Sequence, residues 1–448
     1  MSKQLYCGAA RGVITPPDEL IPHLRGLRDS TFGGVLDELY VRVIAVGNGL
    51  DKALLVAFDL DKAPNPAENI AHLSARSGIP PENIFFFSTH THTAPVTGYR
   101  PDEPINAASR KPAHVQQATA QYEQQIAATL LAVVDQAIGS LRPARMGHAS
   151  GKSYINVNRS QDYVVAGENG ELHSECFLGV NCAAPVDRTL FVLKFEDLDG
   201  QPIAFFINYP VHNCVMIGNG CFEGKGGISG DLSGCVCRFV EEEFPASTAI
   251  WSSGAAGDIN PLLLNESFYP DPHTGRPVEC RLESGLMPAL TMLAARHFAD
   301  VLQVIRKIQC TTAAAPVAGI VDWSYTPGRS IVSHEGGSME TITGDGVDPY
   351  EIRLHLMKLG EIALYGFSGE LYSALGRRVK ELSPLEHTIL INHDASLMAR
   401  SGYIFDDETW ARDTSNRLPG HRSSRMLPGY VLASLEKHTL EMFQKIGS

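Results

Sequence analysis

The sequence predicts an α/β protein with a mixed, largely parallel β-sheet core flanked by helices, its chemistry gathered at strand carboxyl ends. Three observations predict it. Residues 54–58 (LLVAF) and 84–87 (IFFF) are short apolar runs on either side of a helical stretch at 66–77. Such runs read as strands buried on both faces, and a strand-helix-strand unit sets its strands parallel with a right-handed crossover. Long amphipathic helices recur further along the chain. Histidines and carboxylates follow several of the apolar runs within a few residues.

In chain order, 41–46 and 54–58 are strands, and Asp59 and Asp61 follow the second. The preceding segment, VITPPDELIPHLRGLRDS, is interrupted by proline and glycine and reads as a structured loop covering something. From Pro112 to about Leu141, Val115, Ala118, Tyr122, Ile126, Leu130, Val133 and Ala137 recur at steps of three or four, a helix with one packed face. Residues 154–160 form a polar strand or loop, and 162–187, rich in Gly, Cys and Asn, a surface excursion. Residues 190–195 and 203–207 are strands joined at Asp199-Gly200. The glycine-rich stretch 218–234 is a turn region where backbone is approached closely. A strand at 249–253 leads into GAAGDINP, a helix covers 288–305, and a turn-rich, less regular layer covers 313–348. Strands at 352–357, 362–367 and 389–391 follow, with Glu370 at the first turn of a helix, and the last helix spans 430–446.

Composition bounds the function. The chain of 448 residues is 44% hydrophobic and 19% charged, an ordinary globular balance that excludes a largely disordered protein. With 37 Lys and Arg against 50 Asp and Glu, the net charge of −13 disfavours nucleic acid and anionic membrane surfaces as partners. The nine cysteines contain no C-x-x-C pair and read as reduced thiols of a cytoplasmic protein. The start, MSKQLYCGAARG, lacks the apolar region of a signal peptide, and no run reaches the length of a membrane span. The expected partner is a small-molecule substrate, and a homo-oligomer is left open.

Phe85 to Pro95, FFFSTHTHTAP, carries the strongest chemical signal. In an extended segment residues i and i+2 share a side, so His90 and His92 enter one space. One imidazole of such a pair can bind a metal while its neighbour shuttles protons. His212, Asp258, Glu370, and His393 with Asp394 each follow another apolar run. Ligands of open α/β sheets bind beyond strand carboxyl ends, so these groups converge on one site. A histidine-rich set with a carboxylate suits zinc, with one position left for water.

The motifs GVITPP, THTHTAP, NVNRS, SGDLSG, GDINP, GELYSALGRR and SGYIFDDETW occur in that order over nearly the whole chain. In these pieces the chain resembles the N-terminal catalytic domain of the neutral, non-lysosomal ceramidases, zinc amidohydrolases that cleave the N-acyl bond of ceramide. The resemblance implies one Zn2+ per chain held by His90, His212, Glu370 and Tyr403. It also implies that His92 and Arg159 meet the substrate and its developing charge. Asn260 stands where the family carries a catalytic serine, and Ser415 where it carries a second tyrosine. The chain ends where ceramidases continue into a β-sandwich, so residues 1–448 are expected to be one catalytic domain without it. These departures argue against a membrane lipid as substrate.

The expected reaction is hydrolysis of a C–N bond of a small soluble amide, since zinc lowers the pKa of its water to about 7. His92 is the general base, Arg159 with the Asn260 side chain or a backbone N–H of the Gly257 loop receives the oxyanion, and Asp231 and Asp258 orient the histidines. The same residues also fit a metal-dependent esterase, glycosidase, lyase or isomerase of a sugar-like substrate, or a non-catalytic metal-binding or interaction protein. Arg100, Tyr163, His334 and Trp410 are the expected pocket neighbours.

Overall fold

A computed structural model describes residues 4–97, 111–167, 169–329, 331–333, 340–342, 348–395, 402–412 and 425–447. Arg100, His334 and Ser415 lie outside the described residues.

Alternation within strands builds the layers. In Ile84–Ser88, Phe86 faces one side while Phe85 and Phe87 face the other, and all three are fully buried. The strand therefore belongs to a sheet covered on both faces. That sheet has eight strands in the order Thr248–Ser253, Pro202–Tyr209, Thr189–Asp197, Arg142–Lys152, Tyr6–Val13, Tyr40–Gly47, Lys52–Phe58 and Ile84–Ser88. One face packs on helices α1 (Pro66–Ser77), α2 (Ala113–Gly139), α3 (Asp231–Glu243) and α4 (Leu286–Ile305). The other packs on a second sheet of Val317–Gly328, Asp348–Leu359, Ile362–Phe367 and His387–Ile391. The outer face of that sheet is closed by α5 (Ser373–Leu382) and the C-terminal helix Val431–Gly447. The result is a four-layer helix-sheet-sheet-helix stack, and among the described residues no helix is long and apolar enough to cross a membrane.

The large sheet is mixed, as expected, but its parallel neighbours are confined to its two ends. Lys52–Phe58 runs parallel to Ile84–Ser88, and Pro202–Tyr209 to Thr248–Ser253, while the strands between them pair antiparallel. The middle strands Tyr6–Val13 and Arg142–Lys152 do not read as strands because glycine, proline and arginine interrupt them. Their glycines serve close approach: a Cβ on Gly8 would lie 2.2 Å from the Ala137 carbonyl oxygen at the end of α2, and one on Gly147 2.3 Å from that of Gln309.

Further differences have local causes. Residues 162–187 are not a loop excursion: Asn156–Ala166 and Leu172–Asn181 pair as a long hairpin with its own small core of Tyr163, Val165 and Phe177. The glycine-rich stretch ends in α3, whose apolar stripe includes Cys235 and is diluted by Ser233 and Gly234. The layer expected to be irregular contains Val317–Gly328, paired along its length with Asp348–Leu359. Glu370 is not in a helix: it lies in the short strand Gly369–Leu371, and α5 starts at Ser373.

Three parallel pairs are each closed by one helix, α1, α3 and α5, and their carboxyl ends are sewn together. Asn392 donates its N–H to the Ser253 carbonyl at 3.0 Å, Ala395 to Phe86 at 2.7 Å, and His393 to Gly369 at 3.2 Å. Two sheets and three crossovers thus meet at one place.

Gly8→Ala is expected to destabilise the chain by about 1 to 3 kcal/mol, because the new methyl group meets backbone that cannot step aside. Gly139→Ala, whose Cβ would meet nothing within 4 Å, is the matched control and is expected to be neutral or stabilising. Equal urea midpoints for the two variants would contradict this packing.

Candidate metal centre and catalytic pocket

Each of the three units delivers a site residue just past a strand. His90 follows Ile84–Ser88, and its φ of 58° places it in the left-handed region rather than in extended backbone. Thr91 and Thr93 anchor the segment, each donating its hydroxyl to the Ser229 carbonyl at 2.9 Å. His90 and His92 still share one space, with ring centroids 4.7 Å apart. His212 follows Pro202–Tyr209 and lies 5.5 Å from His90 and 5.8 Å from His92, centroid to centroid. Glu370 follows Ile362–Phe367, and the parallel pairing of Gly369–Leu371 with Gly402–Ile404 sets Tyr403 opposite it. Residues far apart in the chain, His90, His92, His212, Glu370 and Tyr403, therefore meet.

The hydrogen bonds fix which nitrogens face inward. His90 Nδ1 donates to the Asp61 carbonyl at 2.9 Å, and His212 Nδ1 to the Ile259 carbonyl at 3.1 Å. An imidazole held this way presents the lone pair of Nε2. Both Nε2 atoms then face the same oxygen, Glu370 Oε2, His212 at 2.8 Å and His90 at 3.6 Å. Two neutral acceptors do not rest against a carboxylate at such range without a positive charge between them. Asp61 Oδ1, 3.0 Å from His90 Nδ1, adds negative charge without a well-aligned hydrogen bond.

The electrostatics agree. Burial works against a charged His90, yet Glu370 and Asp61 overcome it and hold the imidazolium up to about 10. Burial and then the Arg159 guanidinium push His212 down to about 4, so this triangle holds one positive charge, not two. Burial opposes the charge on Glu370 as well, but His90 and His212 keep its carboxyl well below the usual range. A divalent ion fits this donor set: neutral imidazoles and a carboxylate are zinc ligands. Ligand atoms of His90, His92 and His212, and of His90, Glu370 and His393, lie within 4.8 Å of one another.

His393 is the neighbour for which the sequence offered position but no role. Its ring stacks on that of His90 with centroids 3.7 Å apart, and its φ of 63° is also left-handed. Asp394 turns away, joining Arg353 and His355 between the sheets.

On the other side of His92 opens a cavity of about 520 Å³, lined at this end by His92, Arg159, Asn260 and Tyr403. Among the described residues, neither ring nitrogen of His92 has a hydrogen-bond partner. Burial, then His90 and His212, hold its pKa well below the usual histidine range, so the ring is neutral. Arg159 comes from Asn156–Ala166, donates to the Gly257 carbonyl, and lies over the Tyr403 ring at 5.2 Å. Its Nε is also without a partner among the described residues. Burial opposes its charge, but Tyr403, Tyr372 and Glu370 hold the guanidinium protonated. Asn260 Oδ1 accepts from Arg159 Nη1 at 3.4 Å, a long contact.

Three expectations are corrected. The Gly257 N–H is committed to the Leu371 carbonyl at 2.9 Å and is not free for an oxyanion. Asp231 and Asp258 hold loops rather than histidines. Asp231 accepts N–H groups of Val215, Met216 and Leu232, and Asp258 accepts from Asn158 and from both the N–H and hydroxyl of Ser373 at the start of α5. The histidines are oriented by backbone carbonyls. Tyr163 donates to Leu178 inside the hairpin and Trp410 stacks on Phe405, so neither lines the cavity.

No family sequence model and no curated protein sequence matches the chain. Solved structures do. A neutral ceramidase from Pseudomonas aeruginosa superposes with a TM-score of 0.68 at 15% identity, over 99% of this chain and 75% of that one. A ceramidase complexed with C2 superposes with a TM-score of 0.70 at 15% identity over the same shares. The chain has the fold of these ceramidases.

Proposed function

We propose that this protein is a zinc-dependent hydrolase that cleaves the C–N bond of a small soluble amide. The observation that carries the reading is the convergence of His90 Nε2 and His212 Nε2 on Glu370 Oε2, beside a cavity walled by a neutral histidine and a charged arginine. The likeness in fold to ceramidases supports it. His90, His212, Glu370 and Tyr403 would hold the ion, which supplies a water acidified toward neutral pH and polarises the substrate carbonyl.

The chain's own groups account for the rest. His92, neutral and with both nitrogens uncommitted among the described residues, takes the proton of the attacking water as its oxygen bonds to the carbonyl carbon. It returns that proton to the departing nitrogen as the C–N bond breaks. Arg159 remains charged throughout, and its guanidinium at the cavity wall favours the charge that grows on the carbonyl oxygen. Asn260 steadies the guanidinium and is no nucleophile, so no acyl-enzyme is formed there. A cavity of about 520 Å³ suits a small molecule. The chain works as a cytoplasmic enzyme in this reading. With Asn260 in the position of a family serine, an esterase of the same metal chemistry is the second reading.

Two outcomes follow. Elemental analysis of the purified chain is expected to give about one zinc per molecule, and His90→Ala and Glu370→Ala to lose it, because each removes a facing ligand. Full occupancy in both variants would contradict the ligand set. Second, His92→Ala is expected to keep its zinc and to hydrolyse a panel of N-acyl amides about 10² to 10⁴ times more slowly. An undiminished rate removes the proposed base, and a variant that sheds its zinc makes His92 a ligand instead.

A further inference from the structure

From the far end of the same cavity we infer that the substrate carries an anionic group on the side away from the scissile bond, received by Arg28. This rests on the hydrolase reading above and adds the substrate class to it. The cavity that begins at His92 and Arg159 runs past Leu178, Val180, Ile217 and Phe268 and is also lined by Arg28, Glu266 and Arg281. Apolar side chains thus share its lining with two separate charged groups, Arg159 beside His92 and the Arg28, Glu266, Arg281 set.

Arg28 belongs to the loop that the sequence marks as a cover. Arg25 and Thr31 pair across its base, and Gly26 donates to the Ser30 carbonyl at 2.9 Å. Asp29 is pinned by Lys111 at 2.6 Å and by Arg25 at 3.8 Å. Arg28 and Asp29 both have positive φ, 56° and 63°, backbone that non-glycine residues adopt when their surroundings hold them there.

The two arginines at this end are unequally committed. Glu266, 9% exposed, is shared: Arg28 Nη1 lies 2.5 Å from Oε2 and Arg281 Nη2 3.2 Å from Oε1. Arg281 is spent in place, with Nε on Glu279 at 2.7 Å and Nη1 on the Gly218 carbonyl at 3.0 Å. Gly218 admits the carboxylate, since a Cβ there would lie 2.0 Å from Glu266 Oε1. Arg28 commits one nitrogen, and among the described residues Glu266 is its partner. Its remaining N–H donors are available to a ligand. A guanidinium in this state recognises a carboxylate or phosphate through paired hydrogen bonds. The substrate class is therefore an amide with a short apolar body and an anionic terminus.

The test uses the zinc-loaded full chain and dicarboxylic acid monohydroxamates of increasing chain length, whose hydroxamate seeks the metal and whose carboxylate reaches outward. Matched compounds ending in a neutral amide or a phosphonate complete the set, and affinities are read by isothermal titration calorimetry. At the best length the carboxylate or phosphonate is expected to bind about tenfold or more tighter than the amide, and whichever anion wins names the group. Arg28→Gln, at a largely exposed side chain, is expected to abolish that preference while leaving the amide compound's affinity unchanged. Glu266→Gln is expected to strengthen it by removing the competing carboxylate. Equal binding of charged and neutral termini in the wild type, or a preference that survives Arg28→Gln, overturns the inference and leaves the metal centre standing. Failure of every hydroxamate to bind overturns both.

Discussion

Glu370 Oε2 faces His90 Nε2 and His212 Nε2 at once, and that contact is the constraint on which the site depends. Both histidines have given away their only other nitrogen, His90 to Asp61 and His212 to Ile259, so neither can turn a hydrogen toward the carboxylate without becoming charged. Buried carboxylates and imidazoles arranged in this way require a cation. Without a metal a proton fills the need, which is why His90 is held so far above the ordinary histidine range. With one, the same geometry becomes a coordination sphere whose orientation is already set by backbone carbonyls.

Maintaining that contact takes most of the architecture. His90, His212 and Glu370 come from three different strand-helix-strand units in two sheets, and backbone bonds from Asn392, His393 and Ala395 lock the units' ends together. His90 and His393 sit in left-handed backbone, a conformation costing about 1 to 3 kcal/mol each that persists only where the surroundings determine it. Asp231 and Asp258 contribute by holding the loops next to the histidines. A packed core on every side of both sheets supplies the rigidity.

The strand-end principle made the site legible in the sequence before the strands themselves were all legible. FFFSTHTHTAP announced a buried strand and a histidine pair, and the apolar runs ahead of His212, Glu370 and His393 carried the same message. Tyr403 was reachable only through resemblance, because its place is set by a three-residue parallel pairing that leaves no periodic trace. The middle strands Tyr6–Val13 and Arg142–Lys152 were hidden by glycines needed for close backbone contacts, and α3 by a stripe that includes cysteine and serine. Glu370 followed its strand as expected, but the pairing of Gly369–Leu371 with Gly402–Ile404, a tertiary event, kept it out of the helix. The stacking of His393 on His90 likewise arises from sheet-to-sheet packing rather than local pattern.

Anomalous diffraction at the zinc absorption edge, on crystals grown from zinc-loaded protein, tests the central claim most directly. The account predicts one strong peak between His90 Nε2, His212 Nε2 and Glu370, about 2 Å from each donor atom, with Tyr403 turned toward it. An empty triangle, or a peak bound by other residues, would contradict it.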